Sequence, residues 1–186
     1  MPLPKETKIF GLTMANIRGE GKPDIVLFDK LENLSIISEN GKTIWRGSRF
    51  GGTNNFYDTR KKKEDAYRPQ ESPPVRVYIP GRILIRDLDG DGVPEVIINR
   101  NEFSSGTHFR RVRTIGTGEI YNLIWEENGL TTNWKTREIK GYISDYQVKD
   151  ADNDGDEELV AAVIESAGSD MLGDKGKSQI LFFKLF

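Results

Sequence analysis

Two stretches of this chain carry the same nine-residue pattern of acids and glycine, each set between apolar runs. In one, Asp87, Asp89, Asp91, Gly92 and Glu95 separate Ile83-Leu84-Ile85 from Val96-Ile97-Ile98. In the other, Asp150, Asp152, Asp154, Gly155 and Glu158 lie between Tyr146-Gln147-Val148 and Leu159-Val160-Ala161. Asp150 follows Asp87 by 63 residues. A third, eroded copy starts 71 residues before Asp87, at Asn16. It keeps an acid at the fifth position (Glu20), the following Gly21 and an acid at the ninth (Asp24), but has Arg18 at the third. Self-similarity at such periods points to a chain built from one repeated supersecondary unit.

The rest of each unit is β-rich. Asn40-Gly41 lies between Leu34–Ile37 and Thr43-Ile44-Trp45, and Asn128-Gly129 between Ile120–Trp125 and Thr131–Trp134. Asn-Gly favours a type I′ hairpin turn, because both residues accept positive φ. Each of the first two units therefore reads as strand, acidic loop, strand, connection, strand, Asn-Gly turn, strand. No long amphipathic helical segment with caps is present. The expected class is all-β: three four-stranded antiparallel meanders of β-propeller type, the last incomplete. Blade 1 spans about 7–47, an insertion loop 48–80, blade 2 about 81–140 and blade 3 about 141–186. Three blades do not close a propeller, and an unfinished one leaves an apolar face and a strand edge open. The expectation is that further blades come from a longer chain or a second copy.

The acidic loops call for a cation. Carboxylates crowded into one loop repel and raise one another's pKa unless a positive charge holds them. Many oxygen donors in a flexible loop suit calcium better than magnesium. The expected ligands of one ion are Asp87, Asp89, Asp91, the Val93 carbonyl and Glu95. Those of the second are Asp150, Asp152, Asp154, the Asp156 carbonyl and Glu158. In the eroded copy the Arg18 guanidinium takes the cation's place, paired with Glu20 and Asp24. With no cysteine and His108 as the only histidine, disulfides and a zinc site of several His or Cys ligands are excluded. The formal net charge of -2 gives no global field for nucleic acid or an anionic membrane. No apolar run approaches the length of a membrane-spanning helix.

These residues resemble the FG-GAP/VCBS-type repeat family, whose best-known members are the integrin α-subunit propellers. The resemblance rests on the pattern D-x-D-x-D-G-x-x-[DE] followed by an apolar strand. It implies that each loop joins the first and second strands of a blade and that the ion is structural calcium. It also implies a cell-surface, secreted or periplasmic setting, with a leader upstream of Met1. Polysaccharide lyases among relatives of this architecture make an enzyme the less favoured alternative, and a scaffold propeller without its own ligand is another.

In a meander, the metal loops and Asn-Gly turns share one end of the blades. The strand two-to-three loops and the blade-to-blade links share the other. The long insertions, 48–80, 101–118 and 166–177, fall at that second end, where ligand contacts are expected. Phe56, Tyr57 and Tyr67 are the candidate aromatic anchors. His108, Arg110, Arg111 and Arg113 form a basic cluster suited to an acidic partner or anionic glycan. No phosphate-binding loop, dinucleotide fingerprint or G-x-S-x-G nucleophile motif is present. The expected function is a calcium-stabilised module that binds protein or glycan and catalyses nothing.

Overall fold

The computed structural model of the chain describes residues 3, 7–29, 31–59, 75–103, 114–166 and 176–185. The described residues form antiparallel sheets of two to five strands with no closed barrel and no α-helix. The first sheet is the meander β1 (Leu12–Ala15), β2 (Asp24–Phe28), β3 (Asn33–Ile37) and β4 (Thr43–Arg49). A separate hairpin pairs β5 (Phe56–Thr59) with β6 (Val75–Tyr78). The second sheet runs β7 (Leu84–Arg86), β8 (Glu95–Phe103), β9 (Ile115–Glu126) and β10 (Gly129–Lys135). Its short β11 (Ile139–Lys140) pairs with β9 beyond the end of β10. The third is β12 (Tyr142–Lys149), β13 (Glu158–Ser166) and β14 (Lys177–Lys184).

The three sheets stack, with the second in the middle. Alternation along each strand sends successive side chains to opposite faces. Val96, Ile98, Tyr121 and Leu123 of the middle sheet pack with Val26, Phe28, Leu34 and Ile36 of the first. Ile97 and Ile120 point the other way, onto Ile143, Tyr146, Val148, Leu159, Ala161 and Val163 of the third. This explains why β8 opens as an unbroken apolar run: both of its faces are core, and Val96, Ile97 and Ile98 are fully buried. Each such side chain contributes roughly 1.5–3 kcal/mol relative to exposure. The far side of the third sheet is different. Ile180 and Phe182 are each 62% exposed there.

Two expectations change. The insertion 48–80 is not simply a loop, because its described residues include the β5–β6 hairpin, so Phe56 and Tyr57 are strand residues. Neither Asn-Gly pair makes the expected turn. At the first, the Gly41 N–H donates to the Ser38 carbonyl and only Gly41 has positive φ, the geometry of a type I turn followed by a glycine bulge. At the second, Glu126 pairs with Gly129, so the turn residues are Glu127 and Asn128. Gly129 serves packing instead. A Cβ there would run into the indole of Trp45 from the first sheet.

Candidate metal centres

All three repeats close their loop in the same register. The residue before the first loop position pairs with the ninth: Ala15 with Asp24, Arg86 with Glu95, Lys149 with Glu158. Within each loop the first residue accepts the sixth residue's N–H, from Gly21 to Asn16 Oδ1, Gly92 to Asp87 Oδ2 and Gly155 to Asp150 Oδ2, at 3.0–3.1 Å. The fourth and sixth positions both take positive φ: Gly19 and Gly21, Gly90 and Gly92, Asn153 and Gly155. Glycine does this without strain, and asparagine is among the residues that tolerate it best. These turns fold the first and third side chains back toward the ninth.

In the second and third repeats this brings together Asp87, Asp89 and Glu95, and Asp150, Asp152 and Glu158. Each trio offers carboxylate oxygens within 4.8 Å of one another and can hold a metal ion. The ninth residue sits at the floor, with Glu95 only 3% and Glu158 only 4% exposed. One oxygen of each is fixed by a backbone N–H two residues into the loop, Leu88 to Glu95 Oε2 at 2.9 Å and Ala151 to Glu158 Oε2 at 3.0 Å. In the third repeat the remaining oxygens, Glu158 Oε1 and Asp150 Oδ1, are buried without any hydrogen-bond partner. A buried carboxylate oxygen left unpaired is costly. An ion of high oxygen affinity removes that cost, so the residues present fit the cation. In the second repeat burial, with Asp89 and Asp87 adding repulsion, pushes the Glu95 carboxyl above its ordinary range, against the Leu88 hydrogen bond.

Asp91 and Asp154 are not members of the trios. Each turns Oδ1 to the N–H two residues on, Val93 at 2.7 Å and Asp156 at 2.9 Å, the usual aspartate turn contact. The Asp156 N–H is the main cause of a lowered Asp154 pKa, with Lys184 adding to it. Val93 and Asp156 occupy the seventh position, their N–H groups engaged in these turns.

The first repeat supplies an internal comparison. Asp24, at the ninth position, is 1% exposed. It meets the Arg18 guanidinium in a two-pronged contact, Nε to Oδ2 at 2.8 Å and Nη2 to Oδ1 at 3.0 Å. Arg18 Nη1 also reaches Glu20 Oε2 at 2.5 Å. The same loop, with the same first-to-sixth hydrogen bond, thus carries its positive charge on a side chain.

The loops lie side by side at one end of the stack. A Cβ on Gly19 would lie 3.2 Å from the Val93 side chain. Arg86 reaches Glu157 at 3.7 Å, and Asp87, Asp156, Glu158 and Lys184 line one small cavity. Lys22 in the first loop pairs with Glu39 in the β3–β4 turn at 2.6 Å, so loops and turns share this end.

At the other end, Asn101 was not singled out by sequence, yet it ties three segments together. Its Nδ2 donates to the Gly52 and Ile143 carbonyls at 2.7 and 2.9 Å, and its Oδ1 accepts the Ile143 N–H at 3.0 Å. Tyr146 is a second such residue. Its hydroxyl donates to the Arg82 carbonyl and accepts the Asn99 N–H, and burial pushes its phenol pKa up. Neither had a sequence signal, since their partners lie 42 to 64 residues away. The recurrence of Gly or Asn at the fourth loop position was legible. Of the expected ligand-face residues, Phe56 and Tyr57 are each 44% exposed. Tyr67, His108, Arg110, Arg111 and Arg113 lie outside the described residues. No family model matches the chain, and no curated protein and no solved structure matches it either.

Proposed function

We propose that this chain is a calcium-stabilised binding module of β-propeller type, built from FG-GAP/VCBS-like repeats, for protein or glycan outside the cytoplasm. The three stacked sheets are its blades. Two ions sit in the second and third loops, with Asp87, Asp89 and Glu95, and Asp150, Asp152 and Glu158, at their centre. When bound, calcium offsets most of each trio's negative charge and joins the first strand of a blade to the second; no bond is made or broken there. Further blades, from a longer chain or a second copy, cover the Ile180 and Phe182 face.

The observation that carries the metal reading is the contrast between repeats. Where the third-position acid is replaced by Arg18, the buried ninth-position carboxylate is paired. Where it is present, in the third repeat, buried carboxylate oxygens have no partner. Calcium is favoured over magnesium because the loops offer many oxygens without octahedral rigidity. Its abundance outside the cytoplasm suits loops of modest affinity.

The test is thermal unfolding with calcium, with magnesium and with chelator. Calcium at about a hundredfold over its Kd is expected to stabilise by about 2.7 kcal/mol per site. Asp89→Ala and Asp152→Ala should each remove one site's share. A melting temperature indifferent to chelation in the unmodified protein would sink the metal assignment.

A further inference from the structure

The end of the molecule opposite the acidic loops holds a cavity of about 570 Å³, between the β5–β6 hairpin and the first sheet. Its size is within the range of small-ligand sites. Tyr57 and Tyr78 from the hairpin and Phe28 from β2 give it aromatic surface, and Lys8 and Arg76 stand on its wall. The hairpin side is braced. The Arg76 guanidinium carbon lies 3.7 Å above the Phe56 ring, and Phe56 meets Tyr78 edge to face at 6.0 Å.

The cavity's two acids are already engaged. Asp29 accepts from Leu31, Asn33 and Arg46. Glu32 takes Arg49 through Nε at 3.0 Å and Nη2 at 2.5 Å. Lys8 is different. Its ammonium donates to the Tyr78 carbonyl at 3.4 Å, and no carboxylate among the described residues lies within ion-pair distance of it. An entering molecule therefore meets aromatic side chains together with an ammonium that no carboxylate among the described residues matches. Aromatic faces stack on the C–H face of a sugar ring, and an ammonium selects a negative group.

We infer that this cavity is the ligand site and that it takes a carboxylated saccharide unit. The assignment rests on the reading of the chain as a binding module and names its ligand class. It is tested by calorimetric titration of the unmodified protein, in calcium, with trigalacturonate and with neutral galactotriose, at low and at high salt. The acidic trimer should bind roughly fivefold or more tighter at low salt, and the gap should close at high salt. Lys8→Gln should abolish the preference. Tyr57→Ala, at a half-exposed position that the core does not need, should weaken both ligands roughly fivefold or more. No saturable binding of the acidic trimer, equal affinity for the two trimers, or affinity unmoved by Tyr57→Ala overturns the assignment. Melting with and without calcium, on the same samples, reports the metal reading separately. A calcium shift without saccharide binding removes the cavity assignment alone. Saccharide binding without a calcium shift upholds it and removes the metal.

Discussion

Replacing Arg18 with alanine takes away the guanidinium that Asp24 holds in the first loop. The aspartate is 1% exposed and the arginine side chain 18%, so the charge left behind has little water to turn to. At an effective dielectric near 20 and about 4 Å, the lost attraction is about 4 kcal/mol. Breaking a buried pair by removing one partner costs about 3–5 kcal/mol. Since some water reaches Arg18, the low end, about 3 kcal/mol, is the expected loss in urea unfolding at neutral pH. Arg82→Ala is the internal control. Arg82 and Asp145 form a similarly close two-pronged pair but are 50% and 52% exposed, so its loss should stay near or below about 1 kcal/mol. Arg18→Asp then restores the repeat's own third-position acid. Without calcium it should be less stable than Arg18→Ala, because it adds a like charge. With calcium it should regain about 2–3 kcal/mol beyond the gain of the unmodified protein, as a third site fills. If Arg18→Ala costs no more than Arg82→Ala, or if calcium leaves Arg18→Asp unrescued, the equivalence of guanidinium and metal ion is wrong.

Further outcomes follow from the packing. Tyr146→Phe should lower stability by about 1–3 kcal/mol in chemical denaturation, because it strands the buried Asn99 N–H and the Arg82 carbonyl; a loss under about 0.5 kcal/mol would contradict that account. Gly129→Val should cost about 1–3 kcal/mol by overpacking against Trp45 and shift tryptophan emission, whereas unchanged emission and melting would mean the indole has room to move. Lys135 and Tyr121 hold the Glu119 carboxyl below its ordinary pKa, against burial. Its folded pKa is thus below the unfolded one, so the stability it contributes is present above the unfolded value, near 4.3, and is lost as pH falls through the folded value. Glu119→Gln should therefore flatten the acid limb of the stability–pH curve, and an unaltered limb would exclude this linkage.

The acidic loops were legible from sequence because everything they need is local. Nine residues set the closure, the positive-φ positions and the pairing of loop ends, and the spacing repeats three times. The apolar runs that flank the loops likewise announced the strands, and Arg18 could be recognised as a built-in cation because it stands at an acid position of a loop that keeps its fifth- and ninth-position acids. Long-range packing decided the rest. The aspartates at the first, third and fifth positions of both acidic loops accept backbone N–H groups, and which of them converge depends on how the loop sits over a buried ninth residue, so Asp91 and Asp154 fall outside the trios. Gly129 reads as a turn residue, but the closeness of Trp45 from another sheet, not φ, explains it. The β5–β6 hairpin was hidden in an insertion because its two strands, one at 56–59 and the other at 75–78, are short and far apart in sequence. Asn101 and Tyr146 carry no pattern at all; their importance arises only where segments distant in sequence meet and backbone groups would otherwise be buried unpaired.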